Sequence, residues 1–234
     1  MDNYNFNYNN VTYVNTDIAS KAMKRVYVKM TLALLVTAFV AYWAAGSSAF
    51  LSFIAMNQWA MWGLLITELG LVFGISAAIN KLSSPIASLL FYLFAVVNGL
   101  MLSPILLAYT ETSVAKTFFM TAGVFGAMSV YGYFTNRDLT KIGNFLVMGL
   151  IGLIIVSLVN IFTKSESLEW LISFIGVAIF IGLTAWDTQK IKRMAEVMPS
   201  SEVGRLATIG ALSLYLDFIN LFLYLLRFFG GNRD

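Results

Sequence analysis

Seven stretches of this 234-residue chain are apolar for about as long as a membrane is thick, and no other feature constrains its fold as strongly. They cover approximately 27–53, 57–79, 84–109, 114–134, 144–162, 169–187 and 206–229. A hydrocarbon core is about 30 Å thick, and about 20 residues of α-helix cross it. In lipid each backbone N–H and C=O must find its partner within the protein, and runs of this length without alternating polarity do so as helices. A soluble domain carries about 25% charged residues. Here 12% are charged and 59% hydrophobic, too little charge to cover a soluble surface. The expected fold class is therefore an all-α membrane protein, a single bundle of seven transmembrane helices. No internal repeat is visible, which disfavours an inverted-repeat transporter.

Residues 1–20 are polar and rich in Asn and Tyr, and are expected to be a disordered tail. Residues 21–234 make one domain. Ser200 or Ser201, after Met198-Pro199, suits the N-cap of a seventh helix that starts before the membrane. Lys and Arg divide unevenly between the two sides. Eleven flank the N-terminal side and four (Lys116, Lys164, Arg227, Arg233) the other. By the positive-inside rule the N-terminus is expected in the cytoplasm and, after seven crossings, the C-terminus outside.

Two absences restrict the chemistry. Without Cys there are no thiolate nucleophiles, disulfides or zinc–thiolate sites, and without His no Ser-His catalysis, HExxH metal sites or imidazole switch. The pI near 9.0 does not point to nucleic acid, because the net charge is only +3 and the basic residues flank apolar runs. Proton or cation chemistry is left to the twelve carboxylates. By this layout nine are expected in loops or tails. Glu68, Asp187 and Asp217 lie in helices, where a charged acid near the bilayer centre costs about 2.5–3.5 kcal/mol on insertion scales.

Asp217 lies midway along the seventh run, in ALSLYLDFINLFLYLLRFF. At about 100° per residue, Gly210, Ser213 and Asn220 share its face, a polar stripe on a greasy helix. It reads as a functional group, or else as a polar clamp to neighbouring helices. Asp187 ends the sixth run in GLTAWDTQKIKRM, where it meets Asp217, or else reaches interfacial water or pairs with Lys190. Their depths differ, so contact requires the sixth helix to ride deeper or a water-filled recess. Two carboxyls that do meet share a proton and titrate as a unit. Glu68 is central in the second run and has no polar company on its own helix; Asn98, Asn160 or the Asp217 stripe are the partners in prospect. Asn98-Gly99 and Ser103-Pro104 mark a bend in the third run, either lining a cavity or forming a simple kink.

ALSLYLDFINLFLYLLRFFG, preceded by AWDTQKIK, resembles the C-terminal signature of the Bax inhibitor-1 (TMBIM) family. The seven-span layout, the Glu68-bearing run and FAVVNGLMLSPI agree with it, and the resemblance covers roughly residues 20–230. It implies a bundle around a central seventh helix, a pH-sensitive pair at Asp187 and Asp217, and a cation leak, chiefly calcium, with Glu68 lining the pathway. In some members it also implies regulation of cell death or of a membrane-bound protease. Some members carry an arginine latch on the second helix. This chain has none there, and only Lys81, in SAAINKL, is placed to substitute.

The leading expectation is a pH-sensitive calcium leak gated by Asp187 and Asp217, with Glu68, Asn98, Ser213 and Asn220 on the ion pathway and Lys81 as latch. Glu68, Asp187 and Asp217 would hold calcium only weakly and transiently, which suits an ion that must leave again. The chain would be a multi-pass protein of a bacterial inner membrane, non-enzymatic, with no resident cofactor; lipid and calcium are its partners, a membrane-bound protease a further one. The alternative is a non-conducting regulator that binds a protease or stress partner. An intramembrane aspartyl protease is disfavoured, since Asp217 follows Leu214-Tyr215-Leu216 and not Gly-x-Gly. A retinal protein is excluded by the absence of Lys from the seventh run.

Overall fold

A computed structural model describes residues 8–79 and 81–231. They form α1 (Tyr8–Gly46), α2 (Ser48–Met56), α3 (Gln58–Ala78), α4 (Ser84–Ala108), α5 (Glu111–Phe134), α6 (Thr140–Thr163), α7 (Glu166–Val197) and α8 (Val203–Phe229), without a strand among the described residues. All but α2 are long and apolar enough to cross a membrane. The chain is a multi-pass integral membrane protein.

The bundle is built around α8, which is enclosed by α7, α1, α5 and α4, while α3 packs on α4 and α6 on α7 from outside. In its most apolar window 67% of the last span is buried, against 6% in the spans of α3 and α6. Small residues explain the difference. Ala207, Thr208, Gly210 and Ala211 line α8 and let neighbouring backbones approach. A Cβ on Gly210 would stand 3.1 Å from Ile191 and 3.2 Å from Val26.

Three boundaries differ from the sequence reading. Helix α1 starts at Tyr8, well ahead of the first apolar run; residues 1–7 lie outside the described residues. A helix nucleated by a membrane span extends at one hydrogen bond per residue, and Ala19, Ala22 and Met23 are buried against the bundle. At its other end α1 stops at Gly46, not near residue 53. Ser47 Oγ accepts from Phe50 N (3.3 Å) and starts the nine-residue α2, which has no buried residue and at about 14 Å is too short to cross. Third, α7 continues ten residues past Asp187. Ser200 and Ser201 sit in a 3-10 turn, and the N-cap of α8 is Glu202, whose carboxylate accepts from Arg205 (3.1 Å) and makes no side-chain cap bond.

The α5–α6 connection is tied to α7 by the buried Gln189. Leu139 N donates to its Oε1 (2.9 Å), and its Nε2 donates to Arg137 O (2.8 Å). Gln189→Ala strands these groups and should lower the unfolding free energy by about 1–3 kcal/mol, read from equilibrium unfolding in detergent micelles. Beside it, exposed Asp138 accepts from Thr140 Oγ1 (2.6 Å), Thr140 N (3.0 Å) and Arg193 (2.8 Å), which hold its carboxyl down to about 2. A depressed carboxyl stabilises the fold above its ordinary range near 3.8 and loses that contribution as pH falls through about 2. The stability difference between Asp138→Asn and the parent, measured by acid titration of unfolding, should therefore close by about pH 2.

Candidate functional site

Asp217 stands midway along the central helix, 5% exposed, and its Oδ2 has no hydrogen-bond partner among the described residues. Asp187, half-buried on α7, lies within electrostatic reach of it. The extension of α7 narrows the depth mismatch. Asp187 is ten residues from the end of α7 and Asp217 fourteen from the start of α8, about 15 Å and 21 Å of helix respectively. Lys190 is also within electrostatic reach of Asp187, but it makes no ion pair among the described residues, and its Nζ sits over the Trp186 ring, 4.7 Å from the centroid. Lys192 Nζ likewise donates to Tyr133 O (2.9 Å).

A second polar cluster occupies another side of α8. Asn98 Nδ2 donates to Glu68 Oε1, the first of the three partners in prospect, and Tyr215 OH donates to Asn98 Oδ1 (2.8 Å). Thr37 Oγ1 lies 2.6 Å from Tyr215 OH and donates to Ala95 O (2.9 Å). The chain of bonds joins α3, α4, α8 and α1. It depends on close packing of α1 and α4 at Gly99, where a Cβ would lie 2.7 Å from Thr37 O. Tyr215 and Thr37 escaped the sequence reading. The available signal was a tyrosine in a helix buried on every side, since a buried phenol must find a partner. Tyr215→Phe keeps the ring against Phe91 and Phe94 (5.8 and 5.5 Å between centroids) but strands Asn98 Oδ1. It should cost about 1–3 kcal/mol in the same unfolding measurement.

The two clusters are separate. Among the described residues no three carboxylates gather as a metal site, so Glu68, Asp187 and Asp217 do not form one calcium site. The physical reason is helical: Tyr215 and Asp217, two residues apart, project about 200° from one another, and Glu68 belongs to the Tyr215 side. Ser213 is half-buried, and Asn220 Nδ2 donates to Leu216 O (2.8 Å) in its own helix. Lys81 is exposed in the α3–α4 connection and makes no ion pair among the described residues. Pro104 lies inside α4, and Ser103 Oγ donates to Leu100 O (2.8 Å), the carbonyl that the missing proline N–H leaves free.

A recess of about 300 Å³ opens between α1 and α5. Tyr27, Thr31, Phe125 and Ser129 are on its walls, and Phe218, the neighbour of Asp217, is at its floor. Ser129 Oγ is buried without a hydrogen-bond partner among the described residues, as is Ser173 Oγ on α7. Unsatisfied oxygens of this kind are uncommon in folded proteins, and they suit a site that takes a proton, a water or a cation.

The family model described as Inhibitor of apoptosis-promoting Bax1 matches residues 19–234. The chain belongs to the Bax inhibitor-1 family. Relatives of this Bax inhibitor-1 member support the assignment along almost the whole length. It is 51% identical to inner membrane protein YbhL of Escherichia coli over 214 residues, 90% of this chain and 92% of that one. It is 46% identical to a protein of Borreliella burgdorferi over 219 residues (93% and 94%). A membrane protein of Streptococcus pyogenes is 37% identical over 225 residues (95% and 98%). The family assignment agrees with the resemblance carried by the seventh apolar run.

Proposed function

We propose that this protein is a passive cation pathway, calcium being its principal ion, and that a proton shared by Asp187 and Asp217 gates it. The observation that carries the reading is the partnerless Oδ2 of Asp217, buried midway along the central helix within reach of a second carboxyl. A proton held between the two carboxyls stabilises one arrangement of α7 and α8. Its loss leaves two like charges in a medium of low dielectric and favours another arrangement, or a cation between them. Glu68, with Asn98, is then a separate station on the route and not a third ligand of one site. Weak, divided coordination suits conduction, because a calcium ion gathered by three carboxylates in one rigid site would leave slowly. The excess of Lys and Arg on the N-terminal side supports a cytoplasmic N-terminus.

Purified protein in calcium-dye-loaded liposomes tests this. Uptake above empty liposomes that varies with pH is expected. Uptake equal to empty liposomes at every pH between 5 and about 8, the range of cellular pH, would sink the reading in favour of a non-conducting regulator.

A further inference from the structure

Lys29 is a half-buried cation that makes no ion pair among the described residues. Its ammonium donates to Ser88 Oγ on α4 and to Thr208 Oγ1 on α8 (2.7 Å). Those hydroxyls donate in turn to backbone carbonyls, Ser88 to Ser84 O (2.8 Å) and Thr208 to Gly204 O (3.1 Å), so their oxygens are free to accept and the ammonium is held in place. Lys21, Lys24, Arg25 and Val28 precede it on the same face of α1, and with Lys29 they line a recess of about 400 Å³. None of the four cations has an ion pair among the described residues. Both α4 and α8 start at this end of the bundle, and their N-termini add partial positive charge. The recess thus gathers cations, and no carboxylate is among its lining residues.

Its continuation says what a counter-charge would belong to. Below Val28, toward the bilayer centre, Leu32, Leu35, Val36, Phe39 and Tyr92 line an apolar groove on the outside of the bundle, and Leu35 and Phe39 are 61% and 72% exposed. A basic recess at headgroup depth above an apolar groove has the two-part chemistry of a phospholipid.

We propose that the Lys21–Lys29 face of α1 is a binding site for an anionic phospholipid, with the phosphate between Lys24, Arg25 and Lys29 and an acyl chain along Leu32, Leu35 and Phe39. The site is independent of the acids at the centre of the bundle, and lipid here would fasten α1 to α4 and α8 at the end where the chain enters the membrane.

Native mass spectrometry and thermal shift of the detergent-purified full chain, titrated with phosphatidylglycerol, phosphatidylcholine or inorganic phosphate, test it. Phosphatidylglycerol is expected to be retained and to raise the melting temperature, and the other two to do neither. A triple variant, Lys21→Gln with Lys24→Gln and Arg25→Gln, should weaken phosphatidylglycerol by about fivefold for each charge removed, on the order of 100-fold in all. The three side chains are exposed, so the bundle is kept. Lys116→Gln with Lys164→Gln, at the opposite end, should bind like the parent. Equal retention of the two lipids, unchanged affinity in the triple variant, or equal protection by inorganic phosphate would each overturn the lipid site.

Discussion

Calcium uptake by liposomes carrying Asp217→Asn should lose its pH dependence while the protein still folds. One shared proton sets a ceiling of about tenfold per pH unit on the parent's response, because a single protonation equilibrium changes by that factor. The amide is isosteric with the carboxyl and uncharged at every pH, so it holds one arrangement of α7 and α8 permanently. Uptake by the variant should vary by less than about twofold over the range in which the parent approaches its ceiling. The amide also removes the charge from a buried site, so stability is expected to hold or rise, and loss of response is not confused with loss of fold. Asp187→Asn should flatten the profile as well. Parent-like flux and pH response in both variants would remove the gate.

The largest structural effect is expected from Gly132→Ala, a change of one methyl group. Gly132 on α5 faces the backbone of Ala185 on α7, and a Cβ there would lie 2.1 Å from the carbonyl oxygen and 2.8 Å from its carbon. No side-chain rotation relieves that overlap, because the obstructing atoms are backbone. The helices must part, and the cost should reach about 3 kcal/mol, the upper part of the usual range for overpacking. Ala185 is two residues from Asp187, so the displacement should also disturb the pH profile of uptake. Gly123→Ala in the same helix is the control. Nothing lies within 4 Å of its Cβ position, and the better helix propensity of alanine should leave stability unchanged or raise it by up to about 1 kcal/mol. Equal unfolding free energies for the two variants would show that the α5–α7 contact is looser than its geometry.

Much of the architecture is legible in the sequence because lipid imposes it locally. Backbone groups in hydrocarbon must bond within their own helix, so seven apolar runs already mean seven spans, and the cost of a buried acid singles out Glu68, Asp187 and Asp217. The polar pattern of the last span likewise marked α8 as the helix with a face to hide. Helix ends were less legible. Hydropathy reports where lipid begins, whereas α1 and α7 run on past it, and the break at Gly46-Ser47 is set by a side-chain cap inside an apolar run.

Which side chains meet was not written in any one segment. The extra turns of α7 bring Asp187 within reach of Asp217, and the close approach at Gly99 sets Thr37 beside Asn98 and Tyr215. Glu68 thereby joins Asn98 and Tyr215. Lys29 reads as one more flanking lysine until α4 and α8 present Ser88 and Thr208 to it. Composition and periodicity act along a helix and fix what it must bury. The register and rotation of one helix against another come from contacts between residues as far apart as Lys29 and Thr208, and those are decided only when the whole bundle packs.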